Sequence, residues 1–420
     1  MTQQFEVISV IGLGYIGLPT AAMFASRKME VIGVDVSPAT VDTINSGAIH
    51  IVEPDLDTVV HQAVHEGFLS ATLTPQPADA FLIAVPTPFK GANHDPDLGY
   101  IEAASKAIAP VLRPGNLVVL ESTSPVGATE QMSAWLAEAR PDLSFPQQAG
   151  EASDIRIAHC PERVLPGKVM QELVHNDRVI GGMTPACSAV ATTLYKIFVE
   201  GECVVTDART AEMAKLTENS FRDVNIAFAN ELSVICDKLD IDVWELIALA
   251  NRHPRVNILQ PGPGVGGHCI AVDPWFIVSS APDEARLIRT ARVVNDDKPH
   301  HILAKVDRAV AAHLDAHAAK DAGQVVIACY GLAFKPDIDD LRESPALEIV
   351  RTLAGSHKGE LLAVEPNIET LPAGLGHARL VGADEARAAA DVHVMLVDHH
   401  QFRGSDVPEG EVIDARGVWR

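Results

Sequence analysis

A repeated alternation of short apolar runs with helix-length segments dominates the first half of the chain. Each run is rich in Val, Ile and Leu, and each intervening segment is long enough for a helix with its loops. This order is typical of β-α-β units that build a parallel sheet. The predicted strands are Val7–Ile11, Val31–Val36, Phe81–Val85, Leu117–Leu120 and Ile155–Ala158, with Cys203–Val205 as the last strand of the sheet.

The alternation stops near residue 206 and gives way to helical patterns. One long helix, free of Pro and Gly, is predicted from Thr206 to about Leu239. A helical segment continues to about His301, interrupted by a Gly/Pro-rich loop at 261–267. An Ala/His-rich stretch at 302–322 is expected to form a solvated connecting helix.

The β-α pattern then returns, with strands predicted at Val325–Tyr330, Glu360–Val364 and Val392–Val397. At roughly 150 residues per domain, a chain of this length fits two or three domains. We therefore predict an α/β protein with two Rossmann-like, doubly wound parallel-sheet domains, 1–205 and 302–420. A central helical domain, 206–301, joins them.

The charge balance limits the partners of this chain. Its 33 Lys and Arg stand against 56 Asp and Glu, a formal charge of −23. Such a surface repels nucleic acid and anionic lipid, so neither is an expected partner. The apolar runs are strand-sized and no basic or apolar leader precedes Val7, which predicts neither a membrane span nor secretion.

Six scattered cysteines indicate thiols in a reducing cytoplasm. They show neither a Cys-x-x-Cys pair nor zinc-like spacing with His, so no metal site is expected. Five of them are interpreted as small buried hydrophobes. The exception is Cys269, because of the loop in which it lies.

A glycine-rich turn points to a dinucleotide site in the first domain. Gly12, Gly14 and Gly17 form Gly-x-Gly-x-x-Gly directly after a predicted strand and before a helical pattern. Such glycines permit a tight turn and a close approach of backbone to pyrophosphate. Asp35 ends the next strand at the distance expected of the acid that binds the adenosine ribose. Since this carboxylate would repel a 2′-phosphate, NAD is favoured over NADP.

Three threonines follow the carboxyl ends of further predicted strands. Thr87, Thr123 and Thr129 fall where ligands bind in open parallel sheets, so they are candidates to line the nicotinamide half of the site. Threonine is also an ordinary helix cap and turn residue. The sequence leaves both interpretations open.

The loop before Cys269 is the second candidate site. Four glycines and two prolines precede this cysteine in the segment 260–268, and so bare a backbone suits close contact with a ligand. Asp273, followed by Pro274, is predicted in a turn, where its carboxylate would orient a water or the thiol. The competing interpretation is a turn-forming Asp-Pro and a buried thiol.

Lys215, Asn219 and Arg222 share one face of the predicted long helix. A solvated polar face is the ordinary explanation. However, a stripe of mostly apolar residues on the opposite side continues further along the helix, which indicates that the helix is covered there. If the side with Lys215, Asn219 and Arg222 is covered too, these polar side chains would need hydrogen-bonding or ionic partners. An ammonium and an amide beside Cys269 would stabilise an oxyanion at a carbonyl carbon. The stripe comprises Met213, Leu216, Ser220, Val224 and Ala227.

Two further segments carry charged groups at predicted loops. Glu162 follows the strand ending at His159 and is placed to act as base for a hydrolytic water. Lys335 and Arg342 follow a strand-to-Gly turn in the third domain. They would contact phosphate or carboxylate, or pair with the neighbouring acids Asp339, Asp340 and Glu343.

Together these motifs resemble the UDP-glucose/GDP-mannose dehydrogenase family, and the likeness runs from Gly12 to Arg420. The segments that carry it are Gly12–Gly17, Ser122–Gly127, Pro161–Arg163, Lys215–Asn219, Gly264–Asp273, and Phe334-Lys335 with Asp340–Arg342.

The resemblance implies a four-electron oxidation of a sugar C6 alcohol to a carboxylate, with two NAD+ and one water used in succession. Cys269 would attack the aldehyde intermediate, the second hydride would leave a thiohemiacetal, and water would hydrolyse the thioester. Lys215 and Asn219 would hold the oxyanion, with Asp273 and Glu162 handling water and protons. The catalytic set is Cys269, Lys215, Asn219, Asp273, Glu162 and Thr123.

The resemblance also implies the binding residues. NAD would contact Gly12, Gly14, Tyr15, Ile16, Gly17, Asp35, Thr87, Thr129 and Arg342. The UDP-sugar would contact Arg163, Val164, Lys215, Asn219, Arg222, His253, Arg255, Gly266, Phe334 and Lys335. In similar enzymes the counterpart of Arg255 reaches in from a second subunit, so a homodimer or higher homo-oligomer is expected.

Within the family, residues 251–257 and 266–269 are similar to members that oxidise UDP-N-acetyl-D-mannosamine for bacterial surface polysaccharides. His268 stands where UDP-glucose enzymes usually carry a small hydroxyl residue. UDP-glucose and GDP-mannose oxidation are the nearest alternatives, and a non-catalytic NAD-sensing module is a remote one. An NAD-dependent epimerase is disfavoured, because none of the four tyrosines has Lys four residues on.

Overall fold

A computed structural model describes residues 5–91, 94–165, 167–267 and 269–420. The chain divides into two compact units. The first comprises residues 1–218 and 275–281, and the second comprises 219–274 and 282–420.

The first unit is built on an eight-stranded sheet with the order β10-β9-β8-β7-β4-β1-β2-β3. Every neighbouring pair is parallel except β8 with β9. The strands are β1 (Val7–Ile11), β2 (Glu30–Val34), β3 (Leu69–Thr72), β4 (Ala80–Ile83), β7 (Leu117–Leu120), β8 (Arg156–His159), β9 (Arg178–Gly182) and β10 (Cys203–Asp207). A separate small hairpin pairs β5 (Phe89–Lys90) with β6 (Asp95–Pro96).

Helices separate most of these strands along the chain. They are α1 (Gly17–Ser26), α2 (Pro38–Asn45), α3 (Leu56–His65), α4 (Gly99–Ile108), α5 (Ala128–Ala139), α6 (Pro146–Ala149), α7 (Val169–His175) and α8 (Pro185–Tyr195). Residues 208–218 of the long helix α9 (Ala208–Leu239) also belong to this unit.

Burial on both faces explains why the strands are almost wholly apolar. Ile8 and Val10 point into one core cluster, whereas Ile11 points into another on the opposite face. A strand covered on both sides reads as a continuous apolar run rather than an alternating one. The predicted strands of this sheet are therefore found, with ends shifted by one or two residues.

One shift of two residues lies at β2, which ends at Val34 rather than Val36. The Asp35 carboxylate turns back to accept the backbone N–H groups of Leu13 and Ser37, at 3.0 and 2.9 Å. Val36 is 94% exposed, as expected of a residue that has left the sheet. The chain then starts α2 at once, because Ser37 accepts the N–H of Thr40 and Pro38 occupies the first helical turn.

The second unit contains the rest of α9, α10 (Val243–Ala250), α12 (Arg286–Ala316), α13 (Pro345–Ser356) and α14 (Ala383–Ala389). Helix α11 (Asp273–Ser280) starts in this unit and continues into the first. A five-stranded parallel sheet has the order β13-β12-β11-β14-β15. Its strands are β11 (Ile327–Tyr330), β12 (Leu361–Val364), β13 (Arg379–Leu380), β14 (Val392–Met395) and β15 (Glu411–Asp414).

Helix α12 corrects the expectation of a separate solvated helix at 302–322. It runs without interruption from residue 286 to 316, with Pro299 inside it. Ile302 and Val306 are buried in the core of the second sheet, and His313 is only 7% exposed. The sequence analysis did not recognise this apolar side, because alanines are small and give only a weak helical periodicity of hydrophobic residues.

The predicted fold class is confirmed: two sheets flanked by helices, with a helical region between them in the chain. Four cysteines are buried, Cys203 is half-buried on the edge strand β10, and Cys269 is exposed. Over the described residues, no helix combines the length and the apolar character needed to span a membrane. The domain boundaries 1–205, 206–301 and 302–420 stay a prediction.

Candidate functional site

The glycine turn after β1 has the geometry that a bound dinucleotide requires. Gly12 has a φ of +91°, and a Cβ on it would lie 2.6 Å from the Ala84 carbonyl oxygen. A Cβ on Gly17 would lie 1.8 Å from the Gly12 carbonyl oxygen. Around Gly14, in contrast, nothing lies within 4 Å of an added Cβ. The first and third glycines are thus needed for the turn itself, and the second leaves open space for a ligand.

The neighbouring predicted contacts suit the same ligand. Tyr15 is 46% exposed, and Ile16 is half-buried just before α1. Asp35 lies at the end of β2 and accepts the N–H of Leu13, which ties it to the glycine turn. An acid at this strand end, beside an open glycine turn, fits the ribose and pyrophosphate of NAD.

The three strand-end threonines have different surroundings. The Thr87 hydroxyl oxygen is buried and has no hydrogen-bond partner among the described residues, which suits a ligand contact. Thr123 is half-buried, and the preceding Ser122 hydroxyl donates to the Val85 carbonyl at 2.7 Å. Thr129 is fully buried and its hydroxyl donates to Glu212 at 2.6 Å. Its contact with NAD stays a prediction.

Glu162 lies in a buried charged cluster that the sequence did not reveal. Its carboxylate forms an ion pair with Arg178 at 2.8 Å and accepts the N–H of Arg163 at 2.6 Å. Both Glu162 and Arg178 are over nine-tenths buried. Arg178 lies on β9, which is antiparallel to β8, and no local pattern in the sequence reports that pairing. The role of Glu162 as a base stays a prediction.

The other predicted residues of the first unit differ in burial and in contacts. Lys215 is half-buried on α9. Arg163 pairs with Glu218, one turn further along that helix, at 2.6 Å. Val164 packs in part against the core of this unit. Met213, expected in the buried stripe of α9, is 39% exposed, which corrects that part of the stripe.

Cys269, Asn219 and Asp273 belong to the second unit, whereas Lys215 belongs to the first. Cys269 is exposed at the surface of its unit. Its carbonyl oxygen accepts the N–H of Asp273 at 2.9 Å, and the Asn219 amide donates to the Asp273 carboxylate at 2.5 Å. Asp273 is 4% exposed and begins α11, so it lies at a helix start rather than in a free turn. This geometry links the thiol segment to α9 through a buried carboxylate.

The glycines before Cys269 are required by close packing. A Cβ on Gly266 would lie 2.3 Å from the Glu343 carbonyl oxygen, and one on Gly267 would lie 3.0 Å from the Phe334 ring. Gly267 also has a φ of +81°. Phe334 thus packs against this loop, and its place in the substrate site stays a prediction. Residue 268, expected to influence the choice of sugar, lies outside the described residues.

A buried polar network under this loop was not predicted. The side-chain oxygen of Asn230 accepts the N–H of Gly262 at 2.8 Å, and the side-chain amide of Asn230 donates to the side-chain oxygen of Asn295 at 2.9 Å. Asn295 in turn donates to Asp223, which pairs with Arg292 at 2.6 Å. These side chains come from α9 and α12, far apart in sequence, so no spacing rule could have joined them.

The remaining predicted residues of the second unit are mostly at its surface. Arg222, His253 and Arg255 are exposed, as expected of groups that meet a ligand or another chain. The Lys335 ammonium lies 5.9 Å from the centre of the Phe334 ring. Arg342 forms an ion pair with Asp340 at 2.6 Å, one of the two alternatives its sequence allowed. Its contact with NAD stays a prediction.

The glycine turn supplies a matched pair of substitutions. We expect Gly17→Ala to lower the free energy of unfolding by about 3 kcal/mol, since its methyl group has no space. Gly14→Ala should change that free energy by less than about 0.5 kcal/mol, because its surroundings are open. It should instead raise the NAD+ dissociation constant about tenfold or more by filling the space for pyrophosphate. Urea unfolding and NAD+ titration calorimetry measure both effects, and equal losses of stability would contradict this assignment.

Glu121, at the end of β7, makes the stability of the first unit depend on pH. It is 1% exposed, and the Tyr195 hydroxyl donates to it at 2.6 Å. Burial raises the pKa of Glu121 to about 7, a rise that the Glu162 charge supports and the Arg178 charge opposes. Because the folded state then binds the proton more tightly than the unfolded state, this contribution is present below pH 4.5 and is lost as the pH rises to 7.

We expect Glu121→Gln to remove this dependence. The unfolding free energy of the variant, relative to the unmodified chain, should rise by on the order of 3 kcal/mol from pH 4.5 to pH 8. Burial lowers the pKa of His159 to about 3. This histidine is present in both proteins, so its titration does not contribute to the difference between their unfolding free energies. Urea unfolding at both pH values, with the exposed Glu130→Gln as control, measures the change. Parallel pH curves for the Glu121→Gln variant and the unmodified chain would show that folding does not raise the pKa of Glu121.

Comparison with known proteins matches three successive segments of the chain to one family. The UDP-glucose/GDP-mannose dehydrogenase family, NAD binding domain, matches residues 6–199. The central domain of the same family matches residues 209–297, and its UDP binding domain matches residues 328–420.

Individual relatives cover nearly the full length. The UDP-N-acetyl-D-mannosamine dehydrogenase of Yersinia pestis is 70% identical over 99% of this chain and 100% of the relative. An NDP-N-acetyl-D-galactosaminuronic acid dehydrogenase of Ralstonia nicotianae is 66% identical over 99% of this chain and 96% of its own. Among solved structures, the UDP-D-ManNAc dehydrogenase of Pyrococcus horikoshii is 37% identical with a TM-score of 0.85, covering 99% and 96% of the two chains. The chain therefore belongs to the UDP-glucose/GDP-mannose dehydrogenase family and is an NAD-dependent oxidoreductase.

Proposed function

We propose that this chain oxidises the C6 alcohol of UDP-N-acetyl-D-mannosamine to a carboxylate, for bacterial surface polysaccharide synthesis. The observation that carries this substrate is the 70% identity, over the full length, to the UDP-N-acetyl-D-mannosamine dehydrogenase of Yersinia pestis. The exposed Cys269 at the end of a glycine-rich loop supports the covalent route. The cytoplasm is the proposed compartment, since the scattered cysteines fit a reducing environment.

The proposed reaction consumes one alcohol, two NAD+ and one water, and yields one carboxylate, two NADH and three protons. When bound, NAD+ accepts a hydride in each of the two oxidations. Between them, the sulfur of Cys269 bonds to C6 of the aldehyde, giving a thiohemiacetal. Oxidation of this adduct leaves a thioester on Cys269, and water breaks the carbon–sulfur bond to release the carboxylate and restore the thiol.

The other residues of the site would support these steps. Lys215 and Asn219 are proposed to hold the oxygen at C6 while negative charge develops there, with Lys215 also moving its proton. Asn219 already donates to Asp273, which places an amide beside a carboxylate close in sequence to the thiol. Asp273 and Glu162 are the carboxylates proposed to handle water and protons, and Thr123 is proposed to act beside Lys215.

The proposed binding residues form one set for NAD and another for the sugar nucleotide. Gly12, Gly14, Gly17 and Asp35 would hold NAD, with the orphaned Thr87 hydroxyl towards its nicotinamide half. Phe334 and Gly266, which pack together, would line the sugar nucleotide. Four cationic side chains would meet its phosphates. They are Arg163, Arg222, Arg255 and Lys335.

A homodimer or higher homo-oligomer is part of the proposal. In the second unit, the part of α9 after residue 218 presents large apolar side chains to solvent, which is typical of a surface that another chain covers. Phe221 is 70% exposed, Phe228 53% and Ile235 44%, and they recur at seven-residue spacing on one helix face. Light scattering of the purified protein measures the assembly, and a monomer at micromolar concentration would contradict it.

A second candidate substrate has support of its own. The relative from Ralstonia nicotianae, 66% identical over nearly the whole chain, is named for an N-acetyl-D-galactosaminuronic acid. A sugar of that configuration therefore belongs in any substrate panel.

The amount of NADH formed per sugar tests the proposal. Purified protein and NAD+ are mixed with UDP-N-acetyl-D-mannosamine, UDP-N-acetyl-D-galactosamine, UDP-glucose and GDP-mannose in turn. We expect two NADH per UDP-N-acetyl-D-mannosamine, and the highest kcat/KM for that sugar. One NADH per sugar would exclude the thioester route, and a higher kcat/KM for another sugar would change the substrate. NADH binding without any oxidation would indicate a sensing module.

A further inference from the structure

Glu212 is a buried carboxylate that the sequence patterns did not single out. It lies near the start of α9 and is 1% exposed. Its carboxylate is directed at the first turn of α5, in the same unit. The exposed Glu130 on α5 pairs with Arg209 on α9 at 2.8 Å, so two glutamates join these helices, one buried and one at the surface.

Glu212 accepts three hydrogen bonds from the start of α5. The Gly127 N–H reaches one carboxylate oxygen at 2.6 Å. The Thr129 N–H reaches the other at 2.8 Å, and the Thr129 hydroxyl donates to the same oxygen at 2.6 Å. Bonds from backbone N–H groups to a carboxylate are charge-assisted, and a negative charge at a helix start is favourable. Burial raises the pKa of Glu212, while these three bonds lower it.

The two ends of this contact carry candidate catalytic groups. Thr123 lies four residues before Gly127, in the loop that joins β7 to α5. At the start of that loop, the Ser122 hydroxyl donates to the backbone carbonyl of Val85, two residues before Thr87 in the chain. On α9, Lys215 follows Glu212 by three residues and therefore lies on the same side of the helix, one turn on.

We propose that Glu212 is a positioning residue, which fixes Lys215 relative to the Thr123 loop by clamping the start of α5 to the start of α9. The inference rests on the proposed function, in which Lys215 and Thr123 act on the substrate. Rate depends steeply on such placement, since a shift of about 1 Å can cost about a hundredfold in kcat. A buried carboxylate with three bonds holds that placement more tightly than an exposed ion pair.

The alternative is a helix cap that stabilises the fold and nothing more. Both roles predict lower stability when Glu212 is changed. Only a positioning role predicts a lower kcat in protein that is fully folded at the assay temperature, with KM for the sugar nearly unchanged. Only a positioning role also predicts altered chemical reactivity at Lys215.

The experiment compares Glu212→Gln with the matched control Glu130→Gln in the full chain. Glutamine keeps the shape of the side chain, but its amide group opposes one of the backbone N–H donors. We expect kcat to fall about tenfold or more with KM for UDP-N-acetyl-D-mannosamine changed less than about threefold, whereas the control stays within about twofold. Acylation of Lys215 by an amine reagent, followed by peptide mass spectrometry, should change in rate in Glu212→Gln and not in the control.

Variants of Thr129 test the same contact from the other side. Thr129→Val removes the hydroxyl that donates to Glu212 and should lower kcat about as much as Glu212→Gln, with KM for NAD+ changed less than about threefold. A loss that appears mainly as a higher KM for NAD+ would instead report a contact of Thr129 with the cofactor. Combining Thr129→Val with Glu212→Gln should cost little more than either change alone, because both break one contact. If Glu212→Gln does not fold, kcat and KM for NAD+ of Thr129→Val decide the question.

The outcomes separate this inference from the proposed function. If the unmodified chain oxidises no nucleotide sugar, the proposed function fails, and the acylation rates at Lys215 still test the clamp. If the unmodified chain is active, a folded Glu212→Gln variant with near-normal kcat would overturn the inference. Unchanged reactivity of Lys215 in that variant would overturn it as well.

Discussion

Replacement of Cys269 by serine is expected to lower kcat for oxidation to the carboxylate about a thousandfold or more. A serine hydroxyl is hardly ionised at neutral pH, so it adds slowly to an aldehyde and cannot form a thioester. Cys269 is exposed, so the substitution should shift the thermal unfolding midpoint by less than about two degrees. The measurement is the rate and yield of NADH with UDP-N-acetyl-D-mannosamine.

The other thiols provide the control for this prediction. Burial raises the pKa of Cys160 and of Cys329 to about 12, which keeps them protonated and unreactive at neutral pH. Iodoacetamide should therefore label Cys269 first, and inactivation should follow that labelling. Cys203→Ser, on the edge strand, should keep kcat within about twofold. Two NADH per sugar at a tenth or more of the normal rate in Cys269→Ser would contradict the covalent route.

Arg292→Met is expected to cause the largest loss of stability, about 3–5 kcal/mol in the unfolding of the second unit. Arg292 is 2% exposed and pairs with Asp223, which is fully buried, at 2.6 Å. Removing the guanidinium leaves a buried carboxylate without its opposite charge. Desolvation already raises the pKa of Asp223, and the Arg292 charge is the main effect that opposes this rise.

The consequence should extend to the glycine-rich loop. Asn295 donates to Asp223 and is joined through Asn230 to the N–H of Gly262. We expect urea unfolding followed by circular dichroism to show the loss, with the exposed Arg289→Met on the same helix costing less than about 1 kcal/mol. The double variant Asp223→Leu/Arg292→Met should recover part of the stability, because no charge is left buried. Equal stability of the two arginine variants would mean that the buried pair contributes nothing.

The amino-acid sequence by itself determined the features whose signal is local. The glycines of the turn after β1, the acid at the end of β2 and the glycines before Cys269 all lie within short segments, so their residue types and spacing are visible in the sequence. The contacts that require Gly12 and Gly266 come from distant segments, at Ala84 and Glu343. The alternation of apolar runs and helices likewise predicted most of the interior strands of both sheets, since strands buried on two faces leave continuous apolar runs. It indicated neither β3, β9, β13 and β15 nor the antiparallel pairing of β8 with β9.

Only the tertiary structure decided which distant groups support these segments. Gly127 and its partner Glu212 are 85 residues apart, and Asn230 and Asn295 are 65 apart. A buried polar group must find a hydrogen-bond partner, but the partner is chosen by packing and not by spacing along the chain. For the same reason α12 ran past its predicted boundary: the apolar side that extends it is recognisable only against the sheet it covers.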